Sequence, residues 1–101
     1  MHFYAATILI TVLAPVFAVV HMVAIKDFHF LPQEVDIALG DTVTWTNNDA
    51  VTHTVTADDH TLFDSGNLLT GESFSHTFTT VASVPYYCTI HPYMTGTVMA
   101  T

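Results

Sequence analysis

The sequence predicts an all-β domain, a two-sheet sandwich or barrel of many short strands. Stretches rich in Val, Thr, Phe and Trp alternate with a period of two, the pattern of half-buried strands. Turn-forming clusters separate them at Leu39-Gly40-Asp41, Asn47-Asn48-Asp49, Asp64-Ser65-Gly66-Asn67 and Thr70-Gly71-Glu72. Beyond the N-terminal segment no stretch carries a helical period.

The first element differs from the rest. Phe3 to Val20 is almost wholly apolar and uncharged. It has the form of a secretory hydrophobic region, with Val16-Phe17-Ala18 as a cleavage site. No Lys or Arg precedes it, and its length of about 18 residues is at the short end for crossing a bilayer. We expect residues 1–18 to be a signal peptide or an N-terminal membrane anchor, with a buried first strand as the bland alternative. Residues 19–101 then form one domain, exported to the periplasm or another extracytoplasmic space.

The strands expected after it are Met22–Phe30, Glu34–Leu39, Thr42–Thr46, Thr52–Ala57, a short piece near Leu68, Ser73–Thr79, Val84–Cys88 and Gly96–Ala100. Val35, Ile37 and Leu39 share one face of their strand, as do Val43 and Trp45, and Phe74, His76 and Phe78. Pro85 interrupts its strand and is expected at an edge or a bulge. His53 shares parity with Val51 and Val55, and Cys88 with Val84 and Tyr86, so both should point inward.

Composition narrows the function. The chain has 101 residues, half of them hydrophobic (50%) and few charged (10%), which suits one compact domain and excludes a disordered chain. Net charge is −8, with Lys26 the only basic side chain apart from the histidines. Phosphate backbones would repel it, so nucleic acid is not an expected partner. The acidity would steer it toward a basic surface, with Asp58 and Asp59 the best candidates for a steering patch.

The segment Cys88-Thr89-Ile90-His91-Pro92-Tyr93-Met94 carries the chemistry. It holds the only cysteine of the chain. Taken singly, Cys88 reads as a buried thiol, His91 as a solvated loop residue and Met94 as core filler. Together they place a thiolate, an imidazole and a thioether in one short loop, a soft donor set that suits copper. A trigonal copper site needs one more imidazole, which His53 can supply. Structural zinc is the competing reading, but it would find only three Cys or His ligands here. His2, His21, His29, His60 and His76 have no partner at ligand spacing, and His76 reads as a core or edge residue.

These residues resemble the small blue-copper proteins, the cupredoxins of the plastocyanin, pseudoazurin and amicyanin group. The likeness is greatest to amicyanin. It rests on Cys88-x2-His91-x2-Met94 with Pro92, on Val43-Thr44-Trp45-Thr46-Asn47 followed by His53, and on the closing Gly96-Thr97-Val98 strand. It covers about residues 22 to 101. The resemblance implies a Greek-key β-sandwich of about seven to eight strands with one copper ion, cycling between Cu(I) and Cu(II). It assigns His53, Cys88 and His91 as equatorial ligands and Met94 as a weak axial one. It also implies that Asn47 ties the ligand loops together by a hydrogen bond to Thr89. His91, Pro92 and Tyr93 would form the electron-transfer surface.

The function implied is that of a one-electron carrier between redox partner proteins, a monomer and not an enzyme. A copper chaperone or a membrane-tethered electron-transfer module would use the same donors. A metal-free interaction domain is the remaining alternative. The chain departs from the group at Val84, where an aromatic is usual, and at Thr52, where amicyanin-like chains often have Pro.

Overall fold

The computed structural model describes residues 5–7, 9 and 17–101. The leader or anchor expected over residues 1–18 therefore falls largely outside the described residues. Among these, no helix is long and apolar enough to cross a membrane.

Among the described residues, eight strands form two four-stranded sheets. They are β1 (Val20–Lys26), β2 (His29–Leu31), β3 (Glu34–Ile37), β4 (Thr42–Asn47), β5 (Thr56–Ala57), β6 (Ser73–Thr77), β7 (Ala82–Tyr87) and β8 (Thr95–Ala100). One sheet has the order β2-β1-β4-β6 and the other β3-β8-β7-β5. Each is mixed: β1 runs parallel to β4 and β3 parallel to β8, while the other pairs are antiparallel. The expected all-β sandwich is present.

Alternation decides what faces inward. Val23 and Ile25 of β1, Val43 and Trp45 of β4, Val84 and Tyr86 of β7, and Val98 and Ala100 of β8 are all buried. Trp45 sits among aromatic rings, with Tyr86, Phe63 and Phe74 at centroid distances of 5.3, 5.6 and 5.9 Å. On the opposite face of β4, Thr42, Thr44 and Thr46 pair hydroxyl to hydroxyl with Thr77, Ser75 and Ser73 at 2.7–2.8 Å. Such directly opposed pairs pin the register of the two strands.

Tyr86 lies over Gly96, its cross-strand neighbour. A Cβ at position 96 would stand 2.4 Å from the Tyr86 ring, so only glycine admits the ring. Burial pushes the Tyr86 hydroxyl up to about 12, an effect partly offset by the nearby Trp45 indole. The two groups miss hydrogen-bond geometry, and neither has another partner among the described residues.

The strand expected over Met22–Phe30 is in fact two. The chain reverses at Asp27-Phe28, with φ of 52° and 61°, and Lys26 pairs with His29. Two successive left-handed residues make the tight hairpin turn that matches strand twist. Nothing in the composition of this turn announces it, because Phe does not favour positive φ. The strand expected over Thr52–Ala57 survives only as Thr56–Ala57. Just before it, the Thr54 amide donates to Cys88 Sγ at 3.3 Å and the Val55 amide to Ser65 Oγ at 2.7 Å. Side chains thus take the donors that a ladder would need. Val51, expected inward, is exposed, while Val55 is buried.

Pro85 lies within β7, and its carbonyl accepts the Asp58 amide at 3.0 Å. The nitrogen and carbonyl of one strand residue point to the same side. The missing N–H therefore faces the flank where β5 has ended, and the β7–β8 ladder loses nothing. This is the edge position expected of it.

The start of β1 is fastened by Asp41. Its carboxylate accepts the amides of Val19 (3.0 Å) and Ala38 (3.1 Å) and faces His21 Nε2 at 2.9 Å. The Val19 amide and the His21 ring hold the Asp41 carboxyl below the usual carboxylate range.

Candidate metal centre

Two chain segments meet at one end of the sandwich. The first leaves β4 and turns through residues 48–52 to His53, which is paired in both directions with Leu68 (His53 N to Leu68 O 3.2 Å, Leu68 N to His53 O 2.8 Å). The second is the loop between β7 and β8. It closes on itself, because the Cys88 amide donates to the Met94 carbonyl at 3.1 Å and the Met94 amide to the His91 carbonyl at 2.9 Å. The short Cys-x2-His-x2-Met spacing is thus one compact turn.

The turn brings three donors together. Cys88 Sγ lies 3.7 Å from His53 Nδ1 and 3.7 Å from His91 Nδ1, and the two nitrogens are 3.2 Å apart. A triangle with these sides has a point about 2 Å from every corner, close to the bonding distance of a first-row metal to imidazole and a little short for sulfur. His53 and Cys88 are fully buried and His91 half-buried. Met94 is buried too, at the end of the loop whose backbone joins it to Cys88. The structure thus brings together His53, Cys88 and His91 of the four expected ligands, and buries Met94 at the end of the same loop.

A model of copper-binding proteins, the plastocyanin/azurin family, matches residues 17–101. The chain belongs to the plastocyanin/azurin family. It is 34% identical over 82 residues to the amicyanins of Paracoccus versutus and Paracoccus denitrificans, a match covering 77% of this chain. That match spans 62–63% of the length of those two relatives. Among solved structures it is similar to a purple cupredoxin from Nitrosopumilus maritimus (TM-score 0.75, 32% identity, 80% of this chain and 99% of the other). It is also similar to a reduced amicyanin variant (TM-score 0.76, 30% identity, 80% of this chain and 81% of the other).

Copper is the ion this cupredoxin's donor set fits. A lone buried thiol facing two imidazole nitrogens is a soft, three-cornered site, not the closed tetrahedron of structural zinc.

The orientation of His53 has a visible cause. Its Nε2 lies 2.7 Å from Asp49 Oδ2. Burial pushes the Asp49 carboxyl up, but the Phe28 amide, the His53 ring and the Asp27 amide outweigh it and hold the group below its usual value. An ionised carboxylate only accepts, so the His53 proton sits on Nε2 and the Nδ1 lone pair faces Cys88. The same carboxylate takes the Asp27 amide at 2.6 Å and the Phe28 amide at 3.0 Å. It thereby holds the β1–β2 turn against the metal end. Phe28 places its ring edge-on to both imidazoles, with centroids 5.4 Å from His53 and 4.9 Å from His91. Sequence reasoning missed Asp49 and Phe28. The i,i+4 spacing of Asp49 and His53 was the one available signal.

The expected bond from Asn47 to Thr89 is absent. Asn47 Nδ2 donates to the carbonyls of Val51 (2.9 Å) and Leu68 (2.8 Å), and its Oδ1 accepts the Asp49 amide at 2.9 Å. Its amide is spent on folding the turn beneath His53. The Thr89 amide is met instead by Thr54 Oγ1 at 2.8 Å. The two loops are tied together, but by the residue after His53.

On the outer side of the loop, Tyr93 is 71% exposed, the most open of the large apolar side chains near the site. Pro92 is exposed beside it.

Proposed function

We propose that this chain is a one-electron carrier whose copper is bound by His53 Nδ1, Cys88 Sγ, His91 Nδ1 and, weakly, Met94 Sδ. The observation that carries this reading is the donor triangle, already assembled in a β-framework with two of its three corners fully buried. When bound, copper supplies a Cu(I)/Cu(II) couple. The chain's part is to keep the donors in one arrangement for both states. Asp49 fixes the ring of His53, Leu68 fixes its backbone, and the closed 88–94 loop fixes the other three. Little needs to move when an electron passes. A copper held by these four donors would have no open position for a substrate, which favours a carrier over an enzyme.

His91 is the one equatorial donor that is not fully buried, and Pro92 and Tyr93 flank it. This edge is the route by which electrons enter and leave. The partners are redox proteins with a surface that complements an apolar face. We place the protein outside the cytoplasm, with residues 1–18 as its export signal or anchor and residues 19–101 as the working domain, acting as a monomer. A copper chaperone would need an accessible, exchangeable metal, and full burial of His53 and Cys88 disfavours that.

The test is copper reconstitution followed by visible spectroscopy. An intense thiolate-to-copper charge-transfer band is expected for the oxidised wild type and none for Cys88→Ser. A colourless oxidised wild type with copper bound would refute the ligand set. Tyr93→Lys should keep that band and slow electron exchange with partners. An unchanged exchange rate would remove the His91 edge as the port.

A further inference from the structure

A chain of hydroxyl groups runs from the thiolate loop to a surface carboxylate. Thr89 N lies 2.8 Å from Thr54 Oγ1, and Thr89 Oγ1 lies 3.1 Å from the same atom. Thr54 Oγ1 is 3.0 Å from Thr56 Oγ1, which is 3.0 Å from Asp64 Oδ1. Thr54 and Thr56 are buried, while Thr89 and Asp64 lie at the surface.

The direction of every bond follows from one end. A carboxylate can only accept, so the Thr56 hydroxyl must donate to Asp64. Its oxygen is then the acceptor for the Thr54 hydroxyl. That uses the one proton of Thr54, so Thr54 Oγ1 is left to accept both the amide and the hydroxyl of Thr89. Bonds aligned in this way polarise one another, most of all where water is excluded. Thr54 is held by its side chain to the residue after Cys88, and its own amide donates to Cys88 Sγ at 3.3 Å.

We infer that Asp64 and Thr56 are positioning residues for the copper thiolate, acting through Thr54, which they hold in place to donate its amide to Cys88 Sγ and to receive Thr89. The inference rests on the reading of Cys88 as a copper ligand for its redox consequence only; the hydroxyl chain itself needs no metal. Hydrogen bonding around the cysteine sulfur tunes the potential of such sites. An N–H donor withdraws density from the thiolate and so favours the reduced ion. Loosening Thr54 therefore lowers the reduction potential.

The experiment uses Thr56→Val, which keeps the shape and removes the hydroxyl, Thr56→Ser, which restores it, and Asp64→Ala at the exposed end. Amide hydrogen exchange of Thr89 is followed in the metal-free protein, and the potential and charge-transfer band in the copper-loaded one. Thr56→Val and Asp64→Ala should each speed Thr89 exchange about tenfold, the loss of roughly one hydrogen bond. Each should also lower the potential and shift the band, while Thr56→Ser stays at wild-type values. Thr89 exchange and potential both unchanged in Asp64→Ala, or in a folded Thr56→Val, would overturn the proposal. If no variant or wild-type protein shows the band, the ligand reading fails, and the exchange data still decide the hydroxyl chain.

Discussion

His76 shows how one residue can be legible in type and still carry a consequence of its own. Its position between Phe74 and Phe78 marks it as a core or edge group, and the structure puts its ring 4.9 Å from Phe63 and 4.8 Å from Phe78. Burial lowers its pKa below the ordinary value of 6.5. The groups around it, Phe63, Phe78, Leu62 and Val84, carry no charge to offset this. The folded state thus prefers neutral His76, whereas the unfolded chain takes up the proton near pH 6.5. The contribution is complete above pH 6.5 and is lost as pH falls through the lower folded value. Replacing His76 by Phe should make stability less steep between pH 7.5 and 5 than in wild type, as read from urea midpoints of the metal-free proteins. The other titrating pairs are common to both proteins and cancel in the difference. Equal slopes would show that the imidazole is charged as easily inside as outside.

At the scale of elements, the β1–β2 turn is the place where fold and site pull against each other. A two-residue hairpin of this kind favours glycine at its second position, yet the chain has Phe28 with φ of 61°. A left-handed residue with a Cβ costs roughly 1–2 kcal/mol. The ring offsets that cost by packing edge-on to both imidazoles. Phe28→Gly should therefore leave the stability of the metal-free domain within about 1 kcal/mol of wild type, since relieved strain and lost packing are of similar size. Copper removal by a chelator should nonetheless become faster, because the imidazole edges are uncovered. A chelation rate equal to wild type would show that the ring shields nothing. The same turn explains where sequence reasoning stopped. Donors in one loop at Cys-x2-His-x2-Met spacing are legible because the chain itself holds them close. Alternating runs such as Val43-Thr44-Trp45 are legible because parity decides burial. Phe28, Asp49 and Thr54 were not, because each acts across a turn or between segments distant in the chain. The strand assigned to Thr52–Ala57 failed for the same reason, since its amides are claimed by Cys88 and Ser65 from elsewhere in the fold.

For the molecule as a whole, the dominant fact is an uneven distribution of charge. The net charge of −8 includes one lysine and no arginine, and Lys26 spends its ammonium on the Asn48 carbonyl at 3.2 Å. The segments around the donors instead expose apolar side chains: Phe28, Leu31, Val51, Leu69, Ile90 and Tyr93. Two copies meeting at this end would form an uncharged contact but repel each other at a distance. Contact and repulsion respond differently to salt, because apolar burial is little affected while the field of like charges is screened. The screening length shortens from about 30 Å at 0.01 M to about 10 Å at 0.1 M ionic strength. Electron self-exchange between oxidised and reduced copies should therefore rise several-fold over that range. Exchange with a basic partner should fall, since there the same field assists the encounter. Line broadening in mixtures of the two oxidation states measures the first rate, and stopped-flow mixing the second. A self-exchange rate that declines with salt would mean that opposite charges, not apolar side chains, bring two copper ends together.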